Sequence, residues 1–186
     1  MSVCFRIVCL CGSAGALSAY LDILREMPID TGMTFLVLTH RRCGQPWWLP
    51  EIIARSTRLP VQRAENGTVF IPNHIYVMPP GTSMTTDGNA LSLEPSSSSM
   101  GWPHTFDVFL KSLAQSTQSR AVAVILSGMA GDGSAALDAI RTSGGITFAQ
   151  TGAAFTSMPD TAMDTGKVDF SGSACEISMR IARLAA

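Results

Sequence analysis

Ala121-Val122-Ala123-Val124-Ile125-Leu126 is an unbroken apolar run that gives way directly to Ser127-Gly128-Met129-Ala130-Gly131-Asp132-Gly133. A strand with one face in water alternates apolar and polar residues, whereas a strand covered on both faces reads as a continuous apolar stretch. This stretch therefore predicts a buried parallel strand, followed by a glycine-rich turn and a helix from about Ser134 to Thr142. The same strand–turn–helix unit recurs upstream. Arg6 to Cys11 is a near-continuous apolar run that stops at Gly12-Ser13-Ala14-Gly15, and Leu17, Leu21 and Leu24 then recur at helical spacing until Pro28. Met33 to Thr39 is a second buried strand ending at His40, with a short helix over Trp48 to Arg55. Phe106, Phe109, Leu110 and Leu113 mark an amphipathic helix, Ile146 to Gln150 a further strand, and Ile177, Ile181 and Leu184 one face of a terminal helix.

This alternation predicts the α/β class: a doubly wound, mostly parallel sheet with helices on both faces. Between Val61 and Leu93 the signals change. Asn66-Gly67, Pro72-Asn73, Pro79-Pro80-Gly81 and Asp87-Gly88-Asn89 separate short β-prone pieces at hairpin spacing, which predicts a small antiparallel hairpin extension. Pro95 to Met100 reads as a flexible loop, since the α/β pattern resumes beyond it. No internal repeat is visible, and 186 residues suit a single domain over positions 1 to 186.

Composition excludes several classes. With 46% apolar and 15% charged residues the chain is far from a disordered profile, and a net charge of −1 provides no field for nucleic acid or an anionic membrane. Arg41-Arg42 is the only adjacent basic pair and reads as a solvated loop. No stretch approaches the roughly 20 apolar residues of a membrane span, so no membrane insertion is expected. The apolar segment after Arg6 is interrupted at Gly12-Ser13-Ala14-Gly15, which argues against a signal peptide. Five cysteines, Cys4, Cys9, Cys11, Cys43 and Cys175, form no disulfide framework and no zinc spacing. They read as reduced thiols of a cytoplasmic protein.

In open α/β sheets ligands bind beyond the carboxyl ends of the strands. Three polar residues occupy that position after three separate strands: Ser13, His40 and Asp132. Ser13 sits in Cys11-Gly12-Ser13-Ala14-Gly15, where small neighbours allow a sharp turn that exposes a nucleophile. A serine hydroxyl needs an adjacent base, and the base needs a carboxylate to set its tautomer. Together the three residues point to acyl transfer. The alternatives are plain: Ser13 as a helix N-cap, Asp132 as the cap of the helix starting near Ser134, and His40 as a structural histidine. Asp107 and Asp138 fall in helical patterns and Asp160 and Asp164 in a late loop, so they are weaker carboxylate candidates; His74 and His104 look peripheral. A dinucleotide fingerprint is absent, because this turn supplies only Gly12 and Gly15 and no acidic residue ends the second strand. No metal is expected, since the histidines are scattered with no carboxylate at ligand spacing.

The chain resembles the catalytic domain of CheB-type protein-glutamate methylesterases over about residues 6 to 184. The resemblance is carried by Gly12-Ser13-Ala14-Gly15, Thr39-His40 and Val124-Ile125-Leu126-Ser127-Gly128-Met129-Ala130-Gly131-Asp132-Gly133. Weaker matches are Ala64-Glu65-Asn66-Gly67, His74-Ile75-Tyr76-Val77-Met78-Pro79 and Met158-Pro159. The resemblance implies hydrolysis of glutamate γ-methyl esters, and in some members glutamine deamidation, with no cofactor. It assigns the nucleophile to Ser13, the base to His40, the orienting acid to Asp132, and oxyanion-binding N–H groups to Ala14 and Met129. The implied partner is a methyl-accepting chemotaxis receptor or a similar methylated protein.

Two departures stand out. Pro103-His104-Thr105-Phe106-Asp107 lacks the arginine of the family's Arg-Pro-Ser-hydrophobic-Asp segment, and Ala16 replaces a usual glycine. Both are expected on or near the substrate face. The receiver domain that typically precedes this domain is not in the sequence, so the expectation is a constitutively open site or a separate receiver-domain regulator. A CheB-like binding or scaffold module without turnover, and an esterase with another substrate, remain open as alternatives.

Overall fold

The computed structural model describes residues 5–41, 44, 46–96 and 104–185. Along the chain run β1 (Ile7–Gly12), α1 (Leu17–Arg25), β2 (Thr34–Thr39), α2 (Leu49–Ala54), β3 (Val61–Arg63), β4 (His74–Val77), β5 (Thr82–Thr86) and β6 (Leu91–Pro95). They are followed by α3 (Thr105–Thr117), β7 (Ala121–Ile125), α4 (Leu137–Thr142), β8 (Ile146–Gln150), α5 (Ser157–Asp164), β9 (Phe170–Gly172) and α6 (Ala174–Ala182). Seven strands form one sheet in the order β3-β4-β2-β1-β7-β8-β9, and every pairing in it is parallel. From β1 the chain builds outward through β2 and β4 on one side, then returns to build outward through β7, β8 and β9 on the other. The reversal lies between β1 and β7, which opens a crevice at their carboxyl ends.

The central strands are apolar throughout because both faces are covered. Ile7, Cys9 and Cys11 of β1 join a core with Phe106, Phe109 and Leu110 of α3 and Leu137 and Ile140 of α4. Val8 and Leu10, on the opposite face, pack with Tyr20, Ile23 and Leu24 of α1 and Ile177 and Ile181 of α6. The β1 and β7 side chains facing α3 include Cys9, Cys11, Ala121 and Ala123, and these small groups leave room for its two phenylalanines. Doubly wound architecture is thus present as expected.

The stretch from Val61 to Leu93 is only partly the expected extension. β5 and β6 do form an antiparallel hairpin, closed at Asp87, whose Oδ1 accepts the N–H groups of Asn89 and Ala90. However, β3 and β4 join the main sheet in parallel. Ile75, Tyr76 and Val77 are fully buried, and their short apolar run is masked in the sequence by the turn residues on either side. Asp160 and Asp164 lie on helix α5 rather than in a loop. The stretch from Ser134 divides into a 3-10 turn, Ser134–Ala136, and α4. The expected loop over Pro95 to Met100 falls mostly outside the described residues.

Candidate active site

The register of the sheet brings the candidate residues together. Gly12 of β1 pairs with Thr39 of β2, so Ser13 and His40 are the next residues on neighbouring strands about 4.8 Å apart. On the other flank β7 pairs with β1 up to Cys11 and Ile125, and the Ser13 N–H donates to the Ser127 carbonyl at 2.9 Å. The loop that follows carries Asp132 back over the sheet.

His40 and Asp132 meet directly, with Nε2 and Oδ2 2.7 Å apart and both side chains 7% exposed. Asp132 also accepts the amide N–H of Phe106 (2.9 Å, Oδ2) and of Asp107 (3.0 Å, Oδ1), the first-turn donors of α3. Burial pushes its carboxyl upward, but the bond from His40 and the two amides outweigh burial and hold it below the ordinary carboxylate range. An ionised carboxylate only accepts, so His40 Nε2 carries a proton and donates it. The ring is held flat against Phe106, with centroids 4.0 Å apart and planes 6° from parallel.

The turn after β1 is held peptide by peptide. The Ser13 carbonyl accepts from Ala16 N–H at 3.2 Å, so the Ala14 N–H on the same trans peptide points the opposite way. Likewise the Gly128 carbonyl accepts from Met158 N–H at 3.1 Å, which turns the Met129 N–H outward. Among the described residues neither N–H has an acceptor. Oriented, unused donors of this kind suit a developing oxyanion. Gly15 has φ of 72°, and a Cβ there would lie 2.9 Å from both Phe155 Cδ2 and Ser127 Oγ. Gly12 allows close approach of α1, since a Cβ would collide with Ala16 and Tyr20.

The capping alternatives do not hold in the form expected. Ala16, not Ser13, is the N-cap of α1, and Gly133 precedes the 3-10 turn with no side-chain cap. Asp132 caps α3 instead. Ala16 is fully buried beneath the Ser13 turn, its N–H donating to the Ser13 carbonyl. Pro103, Arg42, Cys4 and Cys43 lie outside the described residues, while Arg41 is exposed. His74 sits on β4, its Nδ1 3.0 Å from the Pro72 carbonyl.

Sequence reasoning ranked Asp107 as a weaker carboxylate, placed Phe106 only on the face of a helix and gave Ser127 no role at the site. Asp107 is buried beside Asp132, and burial followed by the charge of Asp132 raises its carboxyl above the usual range. Its helical spacing concealed this position, because α3 begins at the site. One atom each of His104, Asp107 and Asp132 lies within 4.8 Å of the others, so a histidine does meet carboxylates here, contrary to the spacing argument. Asp132 already accepts from His40 and two amides, and the positive end of α3 opposes a cation, so this grouping makes a poor metal centre.

Residues 8–181 match the family model described as CheB methylesterase. A protein-glutamate methylesterase/protein-glutamine glutaminase of Myxococcus xanthus is 33% identical over 84% of this chain and 44% of its own length. A counterpart from Carboxydothermus hydrogenoformans is 30% identical over 88% of this chain and 50% of its own. An uncharacterised 104.1 kDa protein of Rhodobacter capsulatus is 36% identical over 65% of this chain and 13% of its own. The chain thus spans half the length of these relatives or less. The crystal structure of the Thermotoga maritima CheB methylesterase catalytic domain superposes with a TM-score of 0.89 at 23% identity, covering 98% of this chain and all of that one. With its family model matched almost from end to end and its fold shared throughout, the chain belongs to the CheB methylesterase family.

Proposed function

We propose that this domain is a serine esterase that hydrolyses glutamate γ-methyl esters on chemoreceptor-type proteins, with Ser13 as nucleophile, His40 as base and Asp132 as orienting acid. The observation that carries the reading is the buried His40–Asp132 bond of 2.7 Å, one strand over from Ser13 in the sheet register. Family membership and the names of the methylesterase relatives support the choice of ester.

In this reading Ser13 Oγ attacks the ester carbonyl while His40 Nδ1 takes its proton. The imidazolium is stabilised through Nε2 by Asp132, and the oxyanion accepts from the Ala14 and Met129 amides. Collapse of the tetrahedral species expels methoxide, which takes the proton from His40 and leaves as methanol. Water then attacks the acyl-enzyme, giving a proton to His40, and collapse of the second tetrahedral species expels Ser13 Oγ, which takes that proton back from His40 and leaves glutamate free. A glutamine side chain would follow the same course with ammonia as leaving group. The reaction belongs in the cytoplasm, where the buried thiols of Cys9 and Cys11 stay reduced.

The test is methanol release from a methylated receptor fragment, run beside fluorophosphonate labelling. Ser13→Ala is expected to abolish both. Equal methanol release by the two proteins removes Ser13 from the mechanism. Labelling of wild type without release from receptor indicates an esterase for another substrate, and no labelling at all favours a binding module.

A further inference from the structure

Ser127 is 1% exposed, and each of its hydrogen-bonding groups is engaged. Its N–H donates to Gln150 Oε1 at 2.9 Å and its carbonyl accepts from Ser13 N–H at 2.9 Å. The hydroxyl donates to the Ala14 carbonyl at 2.8 Å and accepts from Phe155 N–H at 3.0 Å. These partners lie at the carboxyl ends of β1 and β8, while Ser127 follows β7. Thr34, Thr147 and Ser178 also reach carbonyls 20 or more positions away, whereas Ser112, Ser116, Thr117 and Ser143 each donate to a carbonyl three or four residues back. The Ser127 hydroxyl reaches residues 113 and 28 positions away.

We propose that Ser127 is a positioning residue for the esterase reaction, a buried clamp that fixes the turn carrying Ser13 from both sides. This inference rests on the esterase reading above. The carbonyl of Ser127 holds the peptide before Ser13, and the hydroxyl holds the peptide after Ala14. Between those two anchors sit the Ser13 side chain and the Ala14 N–H, so one residue sets the direction of nucleophile and oxyanion donor together. Gly15 packs too close to the Ser127 hydroxyl to admit a side chain, which keeps the turn seated on the clamp. The Phe155 bond ties the loop after β8 into the same assembly, and Gln150 fixes the Ser127 peptide from below. A nucleophile displaced by about 1 Å loses on the order of a hundredfold in rate without loss of binding.

The experiment is Ser127→Ala, assayed for kcat and KM on an ester substrate, for the rate of fluorophosphonate labelling at Ser13, and for amide exchange at Phe155. The expected result is a fall in kcat of roughly ten- to a hundredfold at unchanged KM. Labelling should slow in parallel, and Phe155 N–H should exchange faster. A variant that folds and keeps kcat and labelling within about twofold of wild type overturns the positioning role. If Ser127→Ala does not fold, Gln150→Leu removes the acceptor for the Ser127 N–H and leaves the hydroxyl in place; it must show the same split, and normal kcat there sinks the idea. Wild type that fails to label at Ser13 brings down the esterase reading and this role with it. Labelling of wild type and Ser127→Ala at equal rates removes only the role of Ser127.

Discussion

Gly15 and Ala130 both carry left-handed φ values near the site, and their side chains are opposite in kind. Gly15 has φ of 72° and no room for a Cβ, whereas Ala130 has φ of 65° and already carries one. A left-handed conformation costs an L-residue roughly 1–2 kcal/mol, so the two invite opposite substitutions. Gly15→Ala is expected to destabilise by about 2 kcal/mol or more, because strain adds to the clash with Phe155 and the Ser127 hydroxyl. Ala130→Gly is expected to be neutral or to stabilise by up to about 1 kcal/mol, the relief of strain being partly offset by a freer unfolded chain. Urea unfolding of both variants checks the pair. A loss of more than about 1 kcal/mol in Ala130→Gly would show that the methyl group packs rather than strains.

Helix α3 starts at the site, and the way it starts links stability to chemistry. Its first-turn N–H groups at Phe106 and Asp107 are satisfied by Asp132, the carboxylate that also holds His40. Asp132→Asn keeps the size but brings an NH₂ group that cannot accept, so at least one of these bonds is lost whichever way the amide turns. The expected outcome is a fall in kcat of up to about 10⁴-fold from the wrong histidine tautomer. A loss of about 1–3 kcal/mol in stability accompanies it. Steady-state kinetics and thermal unfolding of the one variant measure both effects. Much at this scale was legible in the residues: the β1, β2 and β7 runs are apolar because two helical layers cover them, and such runs have no other reading in a chain this punctuated. β4 was not, because its three buried residues are too few to outweigh the prolines and asparagine around them. β9 is shorter still and takes its strand geometry only from pairing with β8.

For the whole molecule the two neighbouring carboxylates act in opposite directions on stability against pH. Asp132 is held below its ordinary range, so it contributes stability that is present above that range and is lost as pH falls through its folded value. Asp107 is raised, so its contribution is present when it is protonated and is lost as pH rises through its folded value. The protein is therefore expected to lose stability in acid through Asp132, and Asp132→Asn should flatten that loss. Asp107→Asn should raise the melting temperature near pH 7 relative to wild type and bring no gain in acid, once the Asp107 carboxyl is protonated. Melting curves from pH 3 to 8 decide this, and a lower melting temperature at pH 7 for Asp107→Asn would contradict it.

By itself the amino-acid order determined the layered α/β architecture, because hydrophobic periodicity is a local property and burial on two faces leaves a local mark. It also determined that Ser13 and His40 stand at strand ends and that Asp132 follows a strand through a glycine-rich turn, since each comes after an apolar run. Only the tertiary structure decided that Asp132 caps a helix beginning 27 residues before it in the chain. The burial of Asp107 against it, and the grip of Ser127 on two distant loops, were decided in the same way. Those are contacts between segments far apart in sequence, and side-chain type alone does not encode which distant partner a hydroxyl or carboxylate will meet. The order of strands in the sheet, with β7 beside β1, selects those partners.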